Sequence, residues 1–264
     1  MKQSTESPPP LIEVGVLKMV KTKLELKNIT KAFSELAVLD DISLSLGQNE
    51  FVSIVGPSGS GKSTIFNVIS GLIKPDQGKV SIDGIDFTGK TGRISYMYQK
   101  DLLLPWRKII DNVSLPLIIK GMSKQAARKK AGESFKIFGL AGFEAKYPFQ
   151  LSGGMRQRAA LLRTYLASED IILLDEPFGG LDAITRSKMQ NWLMEITKDL
   201  NASILLITHD IEEAILLSER VYVLSERPAK IKAEICIDLP RERNHEIVTT
   251  VEFNEIKKRI YSIL

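Results

Sequence analysis

Residues 56–64 read GPSGSGKST, and Gly56 to Ser63 satisfy the spacing G-x-x-x-x-G-K-[ST]. Glycines at Gly56, Gly59 and Gly61 let a backbone curl until successive N–H groups converge on phosphate oxygens. Lys62 brings a cation to the β- and γ-phosphates, and the Ser63 hydroxyl is a hard oxygen donor suited to Mg2+. Pro57, Ser58, Ser60 and Thr64 complete the cradle. A continuous apolar run, FVSIV (51–55), precedes the loop, and STIFNVISGL behind it reads as a helix. A chance glycine-rich turn would leave this agreement of strand, loop and helix unexplained.

A second feature, IILLDEP (171–177), places two acids at the end of an apolar strand. Acids there face the ligand crevice of an open α/β sheet. Asp175 is expected to hold Mg2+, directly or through water, and Glu176 to polarise a water against a terminal phosphate. The alternative is two solvated turn acids. His209 follows SILLIT (203–208) at another strand end, and Gln99 follows RISYMY (93–98) in the same way. A lone histidine is commonly structural. Beside a phosphate loop it becomes a candidate catalytic group, and Gln99 a neutral ligand for Mg2+ or water.

LSGGMRQR (151–158) is a second glycine-rich helix start, about ninety residues beyond the first. The N-terminus of a helix offers free N–H groups and the positive end of its dipole to an anion.

These residues need a frame to hold them. From Leu24 the pattern is β-like, through LELKNI and ISLSL (42–46). Strand signals vanish between Gln99 and about 165, where KQAARKKAGESFKIFGL (124–140) is a charged amphipathic helix closed by glycine. Strands return at 171–175, 203–208 and 220–225, with a helix between each pair, and the last 18 residues read as a terminal helix, about 247–264. The expected fold is α/β. It has a P-loop core with a mixed, largely parallel sheet, an antiparallel β lead-in and an inserted α-helical subdomain at about 100–165. The Ser, Pro and Glu of the opening stretch suggest a loose arm over 1–21, with 22–264 as one domain and Met19 as an alternative start.

Bulk composition narrows the class. At 44% hydrophobic and 26% charged, the chain is an ordinary globular protein, and a net charge of +4 is too small to argue for nucleic acid. The single cysteine, Cys236, permits no intrachain disulfide, and alternation in KIKAEICID puts it opposite Ile231, Ala233, Ile235 and Ile237. No apolar run has the length of a membrane span.

Taken together, the motifs resemble the nucleotide-binding subunits of ABC transporters, over about residues 22–225. The match comprises the 56–63 loop, the glutamine loop at Gln99, the signature 151–158, the acidic strand end 171–176, GGLD (179–182) and the histidine at 209. The resemblance implies ATP and Mg2+ as ligands and an ATPase whose two copies pack head to tail. Ser152 and Gly154 of one copy would face the γ-phosphate held by the other, with Asp182 at the same junction. It places the adenine-stacking aromatic on Phe33, for which an ordinary core position is the other reading. Met155 and Gly180 depart from the commoner Gln and Ala. Implied partners are a second copy of the chain, integral membrane permease subunits at the cytoplasmic face and, indirectly, a periplasmic or lipid-anchored solute-binding protein, but no nucleic acid.

DLLLPWRKIIDNVSLPL (101–117) and SERPAKI (225–231) are similar to importers of the nitrate/sulfonate/taurine group, which includes importers of thiamine-precursor pyrimidines. The 100–120 segment is where the family docks a short helix of its membrane partner. Trp106 is expected in that groove or, alternatively, as an anchor inside the helical insertion. Lys124, Arg128, Lys129 and Lys130 form a solvated face or a contact with anionic lipid. An exporter or lipoprotein-release ATPase, a soluble ABC ATPase outside transport and a non-enzymatic nucleotide sensor are the rival readings.

Overall fold

Three five-residue apolar strands form the centre, and every residue in them is buried. A strand covered on both faces needs such predominantly apolar runs. The structure is a computed structural model that describes residues 21–168, 170–240 and 243–264. The expected N-terminal arm, apart from Lys21, lies outside the described residues.

In chain order the elements begin with β1 (Thr22–Phe33), β2 (Leu36–Gly47), β3 (Phe51–Val55) and α1 (Lys62–Ile69). There follow β4 (Gln77–Ile82), β5 (Ile85–Asp86) and β6 (Ile94–Met97). Then come α2 (Ile109–Val113), α3 (Leu115–Ile119), α4 (Lys124–Ser134) and α5 (Gly153–Ala167). The chain continues through β7 (Ile171–Asp175), α6 (Ala183–Asp199), β8 (Ser203–Ile207), α7 (Ile211–Leu217), β9 (Arg220–Leu224), β10 (Ile231–Cys236) and α8 (Val251–Ile263).

A six-stranded sheet runs β10-β9-β3-β8-β7-β6, parallel except for the antiparallel edge strand β10. A separate antiparallel sheet runs β2-β1-β4-β5. This is the α/β fold with an antiparallel lead-in that the sequence pattern predicts, with four α-helices and a short 3-10 helix (Pro148–Gln150) among the described residues between β6 and β7. The terminal helix begins at Val251, later than 247, because a 3-10 helix (His245–Thr249) precedes it and Thr250 caps α8 by accepting from the Phe253 N–H.

Alternation along the central strands divides the core. Ile172, Leu174, Ile204 and Leu206 face α2 to α6, packing with Ile109, Ala160 and Leu193. Ile171, Leu173, Leu205 and Ile207 face the other way, against Ile65 and Phe66 of α1 and Leu26 and Ile42 of the antiparallel sheet. Helix α1, which starts at Lys62, is therefore held between the two sheets. Beyond β9, α7 and α8 share a third cluster with β10.

Register sets the ends of the strands level. Ile54 of β3 pairs with Ile207 of β8, Ile207 with Asp175 of β7, and Leu174 with Met97 of β6. The phosphate loop, Glu176, His209 and Gln99 thus leave the sheet along one edge.

Candidate functional site

The loop 56–61 turns sharply between β3 and α1. Gly61 takes φ 112°, and a Cβ there would come within 3.0 Å of Val38 and Leu39. Glycine is required at that position on both counts. Lys62 is buried, and its Nζ donates to the carbonyls of Gly56 and Pro57, each at 2.8 Å. Burial holds its ammonium below the usual lysine range, against the opposing pull of Glu176 and Asp175. Ser58 and Ser63 are exposed, Pro57 and Thr64 half-buried. Ser60 is buried and its hydroxyl oxygen has no hydrogen-bond partner, an orphaned polar atom within the loop.

The acids at the end of β7 divide in environment. Asp175 is buried, and its carboxyl is raised above the usual range chiefly by that burial, although Tyr96 and Ser63 hydrogen-bond to it. The Tyr96 hydroxyl donates to Asp175 Oδ2 at 2.9 Å. Glu176 takes φ 44°, unusual for a residue with a Cβ, and its N–H donates to the Ile207 carbonyl at 2.8 Å. Gln99 Nε2 donates to Glu176 Oε2 at 3.0 Å, and His209 Nδ1 lies 3.3 Å from the same oxygen. Three adjacent strands thereby bring Gln99, Glu176 and His209 to one point, as their strand-end positions predict.

Donor chemistry fits Mg2+. The Ser63 hydroxyl, Asp175 carboxylate and Gln99 amide are hard oxygen ligands, few enough to leave positions for water and phosphate oxygens. The 56–64 loop and the unpartnered Ser60 hydroxyl fit a polyphosphate.

The second glycine pair is built differently. Ser152 caps α5, its hydroxyl accepting from the Met155 N–H at 3.3 Å. Asp182 caps α6 in the same way, accepting from Thr185 N–H at 3.0 Å, and that N–H holds its carboxyl below the usual range. The two helix starts abut. A Cβ on Gly153 would lie 3.2 Å from Leu181, and one on Gly154 would lie 3.2 Å from Thr185. The glycines therefore also permit close packing, a role not anticipated from sequence. Among the described residues, neither Ser152 nor Asp182 bonds to the 56–64 loop of its own chain.

Phe33 ends β1 and is 44% exposed, with Lys31 Nζ 5.5 Å from its ring centre, so the core alternative fails. Trp106 is 71% exposed, which excludes it as an internal anchor. It lines a groove of about 440 Å³ with Arg107, Lys108, Leu115, Ile118 and Arg128. Arg128 pairs with Asp111 at 2.7 Å, so it is not merely solvated.

Sequence reasoning missed two contacts. Tyr96 sits in the strand RISYMY, but nothing in the pattern reveals that it reaches across to β7. Arg227, within SERPAKI, donates to the Gly59 carbonyl, tying that segment to the phosphate loop. Two residues on, Ala229 is fixed to β2 through Val38 and Asp40.

Comparison with known proteins shows the family. The family model described as ABC transporter matches residues 39–179. The formylaminopyrimidine import ATP-binding protein ThiZ of Halalkalibacterium halodurans is 42% identical over 251 residues, 93% of this chain and 98% of that protein. The nitrate import ATP-binding protein NrtD of Synechocystis is 38% identical over 251 residues, 91% and 94% of the respective chains. A bacterial ABC transporter cassette solved as a dimer is 34% identical, with a TM-score of 0.70, covering 82% of this chain and all of its own. The protein described here belongs to the ABC transporter family, as one of its ATP-binding, ATP-hydrolysing subunits.

Proposed function

We propose that this chain energises uptake of a small solute of the nitrate, sulfonate, taurine or thiamine-precursor group. It works at the cytoplasmic face of the membrane, bound to integral permease subunits that a solute-binding protein feeds. The observation that carries the reading is the convergence of Gln99 and His209 on one oxygen of Glu176, beside Asp175 and the phosphate loop. Among the described residues no helix is long and apolar enough to cross a membrane.

In this reading the loop N–H groups and Lys62 hold the triphosphate, and Phe33 stacks on the base. Ser63, Asp175 and Gln99 would hold Mg2+, which would supply positive charge to offset that of the triphosphate. Glu176 orients a water for in-line attack on the γ-phosphorus and draws on its proton, while His209 supports the carboxylate and the phosphate. Breaking the bond between the γ-phosphorus and its bridging oxygen yields ADP and phosphate. Two copies pack head to tail, and Ser152, Gly154 and Asp182 of each complete the anion site of the other. Ser152 and Asp182 are exposed, and among the described residues neither bonds to the loop of its own chain, which supports this. Greater affinity of the closed dimer for ATP than for ADP turns hydrolysis into movement.

The groove beside Trp106 combines Leu115 and Ile118 with Arg107, Lys108 and Lys124, and with Arg128 paired to Asp111. An amphipathic permease helix with acidic flanks fits it. The test is solute uptake into vesicles carrying the permease with this chain. Uptake that needs ATP inside and stops with Glu176→Gln is expected. ATP-driven efflux instead would refute import.

A further inference from the structure

Asp175 is the carboxylate assigned to Mg2+, and a carboxylate has two oxygens. One of them, Oδ2, is occupied by the Tyr96 hydroxyl at 2.9 Å. A buried acid of this kind must have its oxygens satisfied, and a hydroxyl donating to a charged oxygen is among the stronger hydrogen bonds. The donor is not free to wander. The Tyr96 ring meets Phe66 of α1 edge-on, with centres 5.5 Å apart and planes at 88°. It also stacks on Tyr98 with centres 4.2 Å apart. Phe66 lies in the helix that begins at Lys62 and Ser63, so one ring is packed against the phosphate-loop helix while its hydroxyl fixes the acid of β7. Register places Tyr96 beside Leu173, and Asp175 is two residues on, along the same face of β7.

We infer that Tyr96 is a positioning residue for the metal site: it occupies Asp175 Oδ2 and thereby aims Oδ1 at Mg2+ in a single orientation. This rests on the proposed assignment of Asp175 as a metal ligand and deepens it. Outer hydrogen bonds of this kind hold a ligand in its binding geometry, and their loss typically weakens metal binding about 10–100-fold. Phenylalanine would keep both ring contacts and remove only the donor. Asp175 would then keep the hydrogen bond from Ser63 alone and turn more freely.

The test uses the full chain carrying Glu176→Gln to stop turnover, with and without Tyr96→Phe. Free Mn2+ is followed by electron paramagnetic resonance as it is titrated into protein saturated with ATP. Binding of a fluorescent ATP analogue in EDTA is measured alongside. The expected result is a rise of about 10–100-fold in the Mn2+ midpoint, with metal-free nucleotide affinity within about twofold. In an Asp175→Asn background, Tyr96→Phe should shift the midpoint no further. An unchanged Mn2+ midpoint would overturn the inference and leave the metal assignment standing. A parallel loss of metal-free nucleotide binding would overturn it too, since the tyrosine would then shape the loop. If the parent showed no Mn2+ dependence, the metal assignment would fall, and this inference with it.

Discussion

Gln99 donates to Oε2 of Glu176 at 3.0 Å, although the two residues are 77 positions apart in the chain. The contact joins the ends of two neighbouring parallel strands, and His209 from a third reaches the same oxygen. A carboxylate with two partners on one oxygen keeps its other oxygen for a water.

Glu176→Gln should therefore leave ATP binding within about threefold and lower phosphate release by about 10²–10⁴-fold. Steady-state phosphate assays beside equilibrium binding check this. Equal phosphate release in the two proteins would remove the role given to the glutamate.

Phe33 stands exposed at the end of its strand, so its loss should not unfold the protein. Phe33→Ala is expected to weaken ATP by about 1–3 kcal/mol, the usual range for a base stacked on an aromatic ring. Phe33→Tyr should bind normally. Titration with ATP and with free triphosphate tells stacking from a general loss, because the triphosphate has no base.

Trp106→Ala should weaken association with the permease by about tenfold or more, in line with a buried aromatic anchor at an interface. ATPase activity of the isolated chain should stay the same. Co-purification with the permease and a phosphate assay read both. An intact complex with normal uptake would rule out the groove.

Glu213 gives a pH dependence. It is buried on α7, where its carboxyl is pushed up to about 8 by burial and by the charge of Asp210. Arg186, Gln190 and Thr208 oppose that shift. The folded protein thus keeps a proton that the unfolded chain releases near its ordinary value of 4.5. Stability from this group is fully present below 4.5 and is lost as pH rises through about 8. Glu213→Gln should flatten the fall in stability across that window by about 1–5 kcal/mol, read by urea denaturation at several pH values. His245 lines the same cavity, so comparing Glu213→Gln with the parent at each pH keeps that neighbour in place.

Much of this was legible in the sequence because strand ends carry their chemistry in order. FVSIV, IILLD and SILLIT are apolar enough to announce strands buried on both faces, and Gly56, Glu176 and His209, which follow them, mark the crevice. LSGG revealed a helix start, and Phe33 and Trp106 stood in segments with recognisable neighbours. What stayed hidden depends on register and packing. Tyr96 touches Asp175 only because β6 pairs with β7 in one register. The packing role of Gly153 and Gly154 needs α6 in place, and Arg227 meets Gly59 through a loop anchored on β2. None of these pairings leaves a local pattern in the chain.

The central claim is that ATP is clamped between two copies, each lending its α5 helix start to the other. Ser152→Asp tests this most directly, because aspartate caps a helix as well as serine does but sets a negative charge where a γ-phosphate should sit. Analytical ultracentrifugation of the Glu176→Gln chain, saturated with ATP and Mg2+, reads the outcome. The account predicts a dimer that disappears on adding Ser152→Asp, while melting without nucleotide stays the same. A dimer that persists with Ser152→Asp, or a parent that remains monomeric at every concentration, would contradict it.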